Sequence, residues 1–238
     1  MLKGKVAIIT GSTGALGSVV TRTFLENGSK VVALYHTQKK YDKLCDSLGE
    51  LNKKLIGFEG DATSPEDCSQ LVKKAIDEHD NVDILVNIVG GWMGGETLEK
   101  IDPNVWDKMM DMNAKSVFLC CRAVLPYMIE KNYGKIVNIS AKSSTREGRK
   151  KRSAIYAASK GAVRVLTQAM AEELLDKNIN VNCIMPSTID TEANRKMMPK
   201  ADPSKWVPPQ KIAETILFLC SDKADEIKGA CIPVYGKS

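Results

Sequence analysis

Tyr156-Ala157-Ala158-Ser159-Lys160 sets a phenol and an ammonium four residues apart. At that spacing two side chains share one helix face, a turn from each other. A free phenol, with a pKa of about 10, is a poor acid or base at neutral pH. A neighbouring ammonium favours the phenolate and draws that pKa toward the working range. The pair could then pass a proton to or from a carbonyl or imine while another agent moves a hydride. Tyr/Lys pairs at this spacing also occur on plain solvated helix faces. The meaning of this one therefore depends on what the rest of the chain brings to it.

A binding place for a hydride carrier comes first in the sequence. Residues 5–10, Lys-Val-Ala-Ile-Ile-Thr, form a continuous apolar run, as expected of a parallel strand buried on both faces. The run enters Gly11-Ser12-Thr13-Gly14-Ala15-Leu16-Gly17 and then a helical pattern through Val20, Phe24 and Leu25 that stops at Asn27-Gly28. Glycines let the backbone approach a pyrophosphate, and the helix start offers free N–H groups. Gly11, Thr13, Gly14 and Leu16 are the expected contacts. The second strand, 30–35, ends in Tyr35-His36-Thr37-Gln38-Lys39-Lys40, with no acid to accept the ribose hydroxyls of NAD. Donors and positive charge there suit a 2′-phosphate, so NADP is the expected cofactor, with NAD the alternative. Tyr35, His36 and Thr37 are candidate contacts, although His36 would serve equally as a surface histidine.

Strand and helix go on alternating. A helix is expected over 41–51 and a strand over 54–59. That strand leads to Gly60-Asp61-Ala62-Thr63, where Asp61 is either a turn aspartate or an acceptor for the adenine amino group, with Ala62 beside it. Ser64-Pro65-Glu66-Asp67 opens the next helix with a cap residue, a proline and acids in the first turn. Strand 82–87 runs into Gly90-Gly91-Trp92-Met93-Gly94-Gly95, a mobile wall beside a ligand. One long helix is expected from Asp102-Pro103 through Met128, with Asn113 an unfavoured polar residue at its middle. Then follow strand 135–140, a basic loop, the Tyr156 helix to about 177, strand 180–185, helix 210–220 and strand 231–235. This pattern predicts an α/β fold, a doubly wound parallel sheet in one Rossmann-like domain over 1–238 with helices on both faces.

Composition excludes several classes. With 238 residues, 43% of them hydrophobic, the chain can bury a sizeable core. No apolar run is long enough to cross a membrane, and the first residues lead into a strand rather than a signal peptide, which predicts a cytoplasmic protein without a membrane partner. The seven cysteines show no ligand spacing and fall mostly in apolar stretches, so they are expected to be reduced core residues, and no metal site is visible. The net charge is +5, with Arg146, Arg149, Lys150, Lys151 and Arg152 crowded into one segment. No aromatic residue is interleaved there, so the cluster reads as a solvated loop and no nucleic-acid partner is expected. A non-catalytic dinucleotide sensor or nucleic-acid binder using that cluster is the competing class.

Along nearly its whole length the chain resembles the short-chain dehydrogenase/reductase family. The motifs that carry this are Thr10-Gly11-x-x-x-Ala15-x-Gly17, Asp61, Asn87-x-x-Gly90, Asn113, Tyr156-x-x-x-Lys160 and Pro186 through Thr191. Gly90-Gly91-Trp92-x-Gly94-Gly95, Ala141-Lys142 and Asp190-Thr191-x-x-Asn194-Arg195 also resemble dihydropteridine reductases within it. The resemblance implies NAD(P)H-dependent reduction of a small carbonyl or quinonoid/imine compound, from 3-oxoacyl thioesters to pterins. Tyr156 would be the general acid/base, and Lys160 would lower its pKa and hold the nicotinamide ribose. Asn113 would anchor a water of a proton relay, and groups near Asn87 and Gly90 would line the cofactor. Pro186, Ile189 and Thr191 would lie near the nicotinamide, the last two at its carboxamide. Homo-oligomers, dimers or tetramers, would pair the helices of 103–131 and 153–177. Three positions depart from the family pattern: Ile88 replaces an asparagine, Ser187 replaces a glycine, and the catalytic serine is displaced. Counting thirteen back from the tyrosine gives Ser143, whereas matching the strand end gives Ala141. Ser143 is taken as the catalytic candidate, with Ser140 as fallback.

Overall fold

Uninterrupted branched aliphatic runs make stable strands only where both sheet faces are covered. The computed structural model describes residues 1–237. Its strands are β1 (Val6–Thr10), β2 (Lys30–Tyr35), β3 (Leu55–Glu59), β4 (Ile84–Asn87), β5 (Gly134–Ile139), β6 (Ile179–Pro186) and β7 (Cys231–Val234). All pair in parallel, in the order β3-β2-β1-β4-β5-β6-β7. The chain starts mid-sheet, winds outward to β3, crosses back to β4 and winds the other way, which is the expected doubly wound topology. The switch in direction falls between β1 and β4. In such sheets ligands bind there, beyond the carboxyl ends of the strands.

Successive strand residues face opposite sides. Ala7, Ile9, Val31, Ala33, Ile84 and Val86 join one core layer, and Ile8, Val32, Leu34, Leu85 and Ile136 the other. The first layer is covered by α1 (Ala15–Glu26), α2 (Gln38–Leu48) and α8 (Pro209–Leu219), through Val20, Phe24, Leu44, Ile212 and Ile216. The second is covered by α3 (Pro65–His79), α5 (Ser116–Lys131) and α6 (Ala154–Glu173), through Leu71, Val117, Val124 and Val163. Burying each such side chain contributes about 1.5–3 kcal/mol, so both faces of the sheet are held firmly while its upper edge carries loops. Two short helices complete the set, α4 (Pro103–Met110) and α7 (Glu192–Met197). No helix among the described residues is long and apolar enough to cross a membrane.

Three expected helices differ from the structure. The Tyr156 helix, expected to reach about 177, ends at Glu173, with Leu174 as its C-cap and a turn after it. The one expected over 41–51 starts a turn earlier, at Gln38, and stops at Leu48, because Gly49 takes a positive φ of 56° and a tight helical turn, Gly49–Lys54, follows. The long helix from Pro103 is not uniform. A wide π turn, Asp111–Lys115, separates α4 from α5, and Asn113 sits at its centre. Such turns mark an extra residue in the helical ladder and recur at functional sites.

Candidate active site

A cleft of about 1210 Å³ runs along the carboxyl ends of the strands. That exceeds the range of about 300–1,000 Å³ usual for one small ligand, leaving room for two. At one end lies the turn between β1 and α1. Gly11 has φ +65°, and a Cβ there would lie 3.0 Å from the Val89 amide nitrogen. A Cβ on Gly17 would come within 2.0 Å of the Gly11 carbonyl oxygen, so only glycine lets α1 pack this closely. The N-cap, Gly14, supplies no side-chain acceptor, and the first turn of α1 holds no acid. Its free N–H groups and positive dipole end therefore face the cleft uncompensated, a fit for a dinucleotide pyrophosphate.

Of the residues singled out for the cofactor, Gly11, Thr13, Gly14, Leu16, Tyr35, His36, Asp61, Ala62, Gly90, Pro186, Ile189 and Thr191 all line this cleft. One carboxylate oxygen of Asp61 accepts the Thr63 N–H at 2.8 Å, so the residue shapes its turn as well as facing the cleft. The Tyr35 ring stacks on Tyr41 at 4.4 Å and its hydroxyl donates to Gln38 Oε1 at 2.6 Å. Thr37 lies outside the lining, as the N-cap residue of α2. Asn87 is also outside it: buried, its amide donates to Asn138 Oδ1 at 2.8 Å and ties β4 to β5. Sequence reasoning passed over Lys40 as a contact. It borders both the cleft and an adjoining pocket of about 250 Å³ with Thr13, Ser18, Lys43 and Ser47. The lysine pair Lys39-Lys40 was the legible signal for it.

At the other end α6 presents Tyr156 and Lys160. The Lys160 ammonium is buried and donates to the Ile139 carbonyl at 2.8 Å. Burial lowers its pKa to about 8. Burial also pushes the Tyr156 phenol up to about 12, against the lowering expected from its lysine neighbour. Desolvation disfavours the charged form of each group, and neither shift contains a contribution from the other, the ammonium being directed at a main-chain carbonyl. Tyr156 is thus a protonated phenol at neutral pH, and its hydroxyl bonds to no group among the described residues.

Asn113 works from behind this pair and does not line the cleft. Its Oδ1 accepts the Gly91 N–H at 2.9 Å, and its Nδ2 donates to the Gly91 carbonyl at 3.1 Å and to Ser159 Oγ at 3.0 Å. The π turn points this side chain into the gap between β4 and α6. A Cβ on Gly90 would lie 2.7 Å from Asn113 Oδ1 and 2.9 Å from Lys160 Nζ, so the glycine opens the space where the three meet.

The serines separate clearly. Ser140 Oγ donates to the Lys160 carbonyl at 2.7 Å and lies 3.0 Å from Ser144 Oγ, which commits it to the start of the loop and to α6. Ser143 lines the cleft, and its Oγ is shielded from solvent and has no hydrogen-bond partner among the described residues. An orphaned hydroxyl of this kind costs about 1–3 kcal/mol and keeps its donor unspent. Gly148 holds it there, because a Cβ at that glycine would lie 1.9 Å from the Lys142 carbonyl oxygen and 2.6 Å from Ser143 Cα. The loop is sewn to the opposite wall by Gly95 N–H donating to the Arg152 carbonyl at 2.9 Å and by Trp92 Nε1 donating to Ser153 Oγ at 3.2 Å. Arg152 takes a left-handed φ of 58°, which this stitch and the start of α6 maintain. On the third side Thr191 caps α7, and Asn194 donates to the Ile189 carbonyl at 2.8 Å.

Residues 5–202 match the family model described as short chain dehydrogenase. The chain belongs to the short-chain dehydrogenase/reductase family. It is 30% identical to the 3-oxoacyl-(acyl-carrier-protein) reductase FabG of Thermotoga maritima, over 99% of this chain and 98% of that protein. It is equally 30% identical to the (2S)-[(R)-hydroxy(phenyl)methyl]succinyl-CoA dehydrogenase subunit BbsD of Thauera aromatica, over 99% and 96% of the two chains. Among solved structures, the 3-ketoacyl-(acyl-carrier-protein) reductase of Brucella melitensis complexed with NADH superposes with a TM-score of 0.87 at 27% identity, covering 99% of this chain and 98% of that one. As a member of this family the chain is an oxidoreductase.

Proposed function

We propose that this protein is a reductase that uses NADPH, with NADH as the weaker alternative, to reduce the carbonyl of a 3-oxoacyl thioester or a closely related small molecule. The observation that carries the reading is the unpartnered, solvent-shielded Ser143 hydroxyl, held in the same cleft as the protonated Tyr156 phenol. A carbonyl oxygen accepting from both groups would be polarised by one and protonated by the other. When bound, the nicotinamide supplies the hydride. The chain's own residues do the rest. The open N-terminus of α1 and its glycines would hold the pyrophosphate, and Lys40 and His36 would face a 2′-phosphate. Lys160 would support the proton leaving the Tyr156 hydroxyl, and Ile189 and Thr191 would orient the nicotinamide amide. The half-open wall formed by Trp92, Met197 and Met198 would keep bulk water from the reacting carbon. The relatives that act on acyl-carrier-protein and CoA thioesters support the thioester over other carbonyls.

A quinonoid pterin is the second reading, favoured by Ala141 at the strand end where the family serine would stand and by the glycine-flanked Trp92. Oxidation of NADPH against acetoacetyl-coenzyme A, a diketone and quinonoid dihydropterin separates the two. Turnover of the thioester that vanishes in Tyr156→Phe supports the first, and turnover of the pterin alone, insensitive to Ser143→Ala, supports the second. The same reading takes the protein to be a homo-oligomer, with Phe118 on α5 and Val165 on α6 as exposed apolar anchors of the pairing faces.

A further inference from the structure

The loop between β5 and α6, residues 142–152, contains six cations and one acid, a formal +5, which is the whole of the chain's net charge. Its members do different things. Lys150 lies across the loop and donates to the Gly148 carbonyl at 2.8 Å and to the Arg146 carbonyl at 3.4 Å, so its charge is spent on holding the turn. Lys142 sits 4.7 Å from the Tyr235 ring centre. Glu147, the lone acid, is held below the usual carboxylate range by its own N–H and the Thr145 hydroxyl, with Lys150 and Lys142 adding to the effect. Of the other four cations, Arg146 and Arg152 lie outside the cleft lining, which leaves Arg149 and Lys151. Both line the cleft, both are exposed, and neither side chain has a hydrogen bond or an ion pair among the described residues.

The cofactor gives these two cations nothing to bind. Its phosphates belong at the N-terminus of α1 and beside Lys40, at the β1 and β2 end of the cleft. The loop follows β5, which is separated from β2 by β1 and β4. Three strand spacings put the two ends roughly 14 Å apart. At the β5 end a dinucleotide presents its nicotinamide and the attached ribose, which carry no negative charge, the ring being neutral when reduced and cationic when oxidised. A pair of uncompensated cations beside it matches a second ligand.

We propose that the substrate bears an anionic group, a phosphate or a carboxylate, remote from its reacting carbonyl, and that Arg149 and Lys151 hold that group at the mouth of the cleft. This rests on the reductase reading above and narrows its substrate class. Arg149 offers a planar fork that suits either anion, Lys151 a point charge beside it. Arg149 and Lys151 flank Lys150, whose clamp on the loop carbonyls fixes the backbone that carries them. The same loop presents Ser143, so one rigid segment would set the distance between the anion and the carbonyl being reduced.

Two matched substrate pairs test this. Acetoacetyl-coenzyme A and acetoacetyl-N-acetylcysteamine share their reacting end and differ in phosphates, whereas acetoacetate and methyl acetoacetate differ in a carboxylate. In Arg149→Gln/Lys151→Gln, the ratio of kcat/KM for the charged over the neutral member is expected to fall at least about tenfold in one pair, mainly through KM. The pair that shows the loss identifies the anion. Added salt should raise the KM of the charged member in the unmodified protein, because exposed charges are screened. Unmodified protein that reduces both members of both pairs equally well, with ratios unmoved in the double variant, would overturn the proposal and leave the reductase reading standing. If no substrate turns over, calorimetry of coenzyme A and of acetoacetate on protein saturated with NADP still decides. Binding weakened in the double variant supports the anion site while the reductase reading fails, and no binding to the unmodified protein overturns the site as well.

Discussion

At the scale of single residues, burial decides the chemistry. Tyr156 is pushed up to about 12 and Lys160 down to about 8, so near pH 7 the pair is a neutral phenol beside an ammonium. That is the protonation state a reductase needs, since the phenol must give a proton away. The sign of the pH dependence follows. Below about pH 8 Lys160 is charged and assists the proton's departure, and above it the charge is lost. Reductive kcat/KM should be flat below pH 8 and fall above it, and the reverse oxidation should gain as pH rises toward ionisation of the phenol. A reductive profile still flat at pH 9.5 would remove the Lys160 charge from the mechanism. Tyr156→Phe should lower turnover by about 10²–10⁴-fold with cofactor affinity within a few-fold. For the serines, Ser143→Ala should lower kcat and kcat/KM together by about 10²–10³-fold, the loss of one preorganised donor. Ser140→Ala should instead show mainly in stability, by about 1 kcal/mol in chemical denaturation, because that hydroxyl holds the Lys160 carbonyl. Equal kinetic effects of the two substitutions would count against Ser143 as the donor.

At the scale of elements, what was legible and what was not have separate physical causes. Strands buried on both faces announce themselves by composition, and Gly11 to Gly17 by its place between one of them and a helix, so the β1–α1 cradle could be read in advance. The π turn could not, because the apolar stripe of that stretch is broad enough to hide the phase shift of one extra residue, and only the oddity of Asn113 at mid-helix hinted at it. The lowered tyrosine pKa was wrong for a related reason: spacing gives proximity on a helix but neither its burial nor the carbonyl that draws the ammonium. The proposed preference for Ser143 over Ser140 rests on which hydroxyl the loop satisfies internally, a tertiary fact. Gly148 was invisible too, since its importance lies in a contact with Lys142. Gly148→Ala sets a backbone clash against that contact, and relief requires the loop to move, carrying Ser143 away from Tyr156. Misplacement of a catalytic group by about 1 Å costs on the order of 10²-fold, so kcat/KM should drop by that order. The loop is at the surface and packs little core, so the midpoint of thermal unfolding should change by only a few degrees. A large loss of stability with unchanged kinetics would show that Gly148 serves folding rather than the position of Ser143.

At the scale of the whole molecule, the doubly wound sheet lays one cleft across the switch between β1 and β4, and a ligand in that cleft ties the two halves of the sheet together. Anything that binds the folded chain alone stabilises all of it, by about 2.7 kcal/mol at a hundred times the Kd. For a chain of this length that corresponds to roughly 5–10 °C in Tm. The cofactor preference can therefore be read without knowing the substrate. No acid stands at the end of β2, and Lys40 borders the pocket that continues past Thr13 toward Ser18 and Lys43. NADPH should accordingly bind at least about tenfold more tightly than NADH, a difference of about 1.4 kcal/mol. At equal concentrations well above both Kd values, that difference adds about 3–5 °C to the Tm shift given by NADPH. Lys40→Glu places a carboxylate where the 2′-phosphate would approach and should erase the difference, leaving the smaller NADH shift largely intact. Equal shifts from the two cofactors in the unmodified protein would mean that Lys40 and His36 read no phosphate. The end of β2 would then be a plain solvated corner, and the preference for NADPH would be withdrawn while the hydride chemistry at Tyr156 stood.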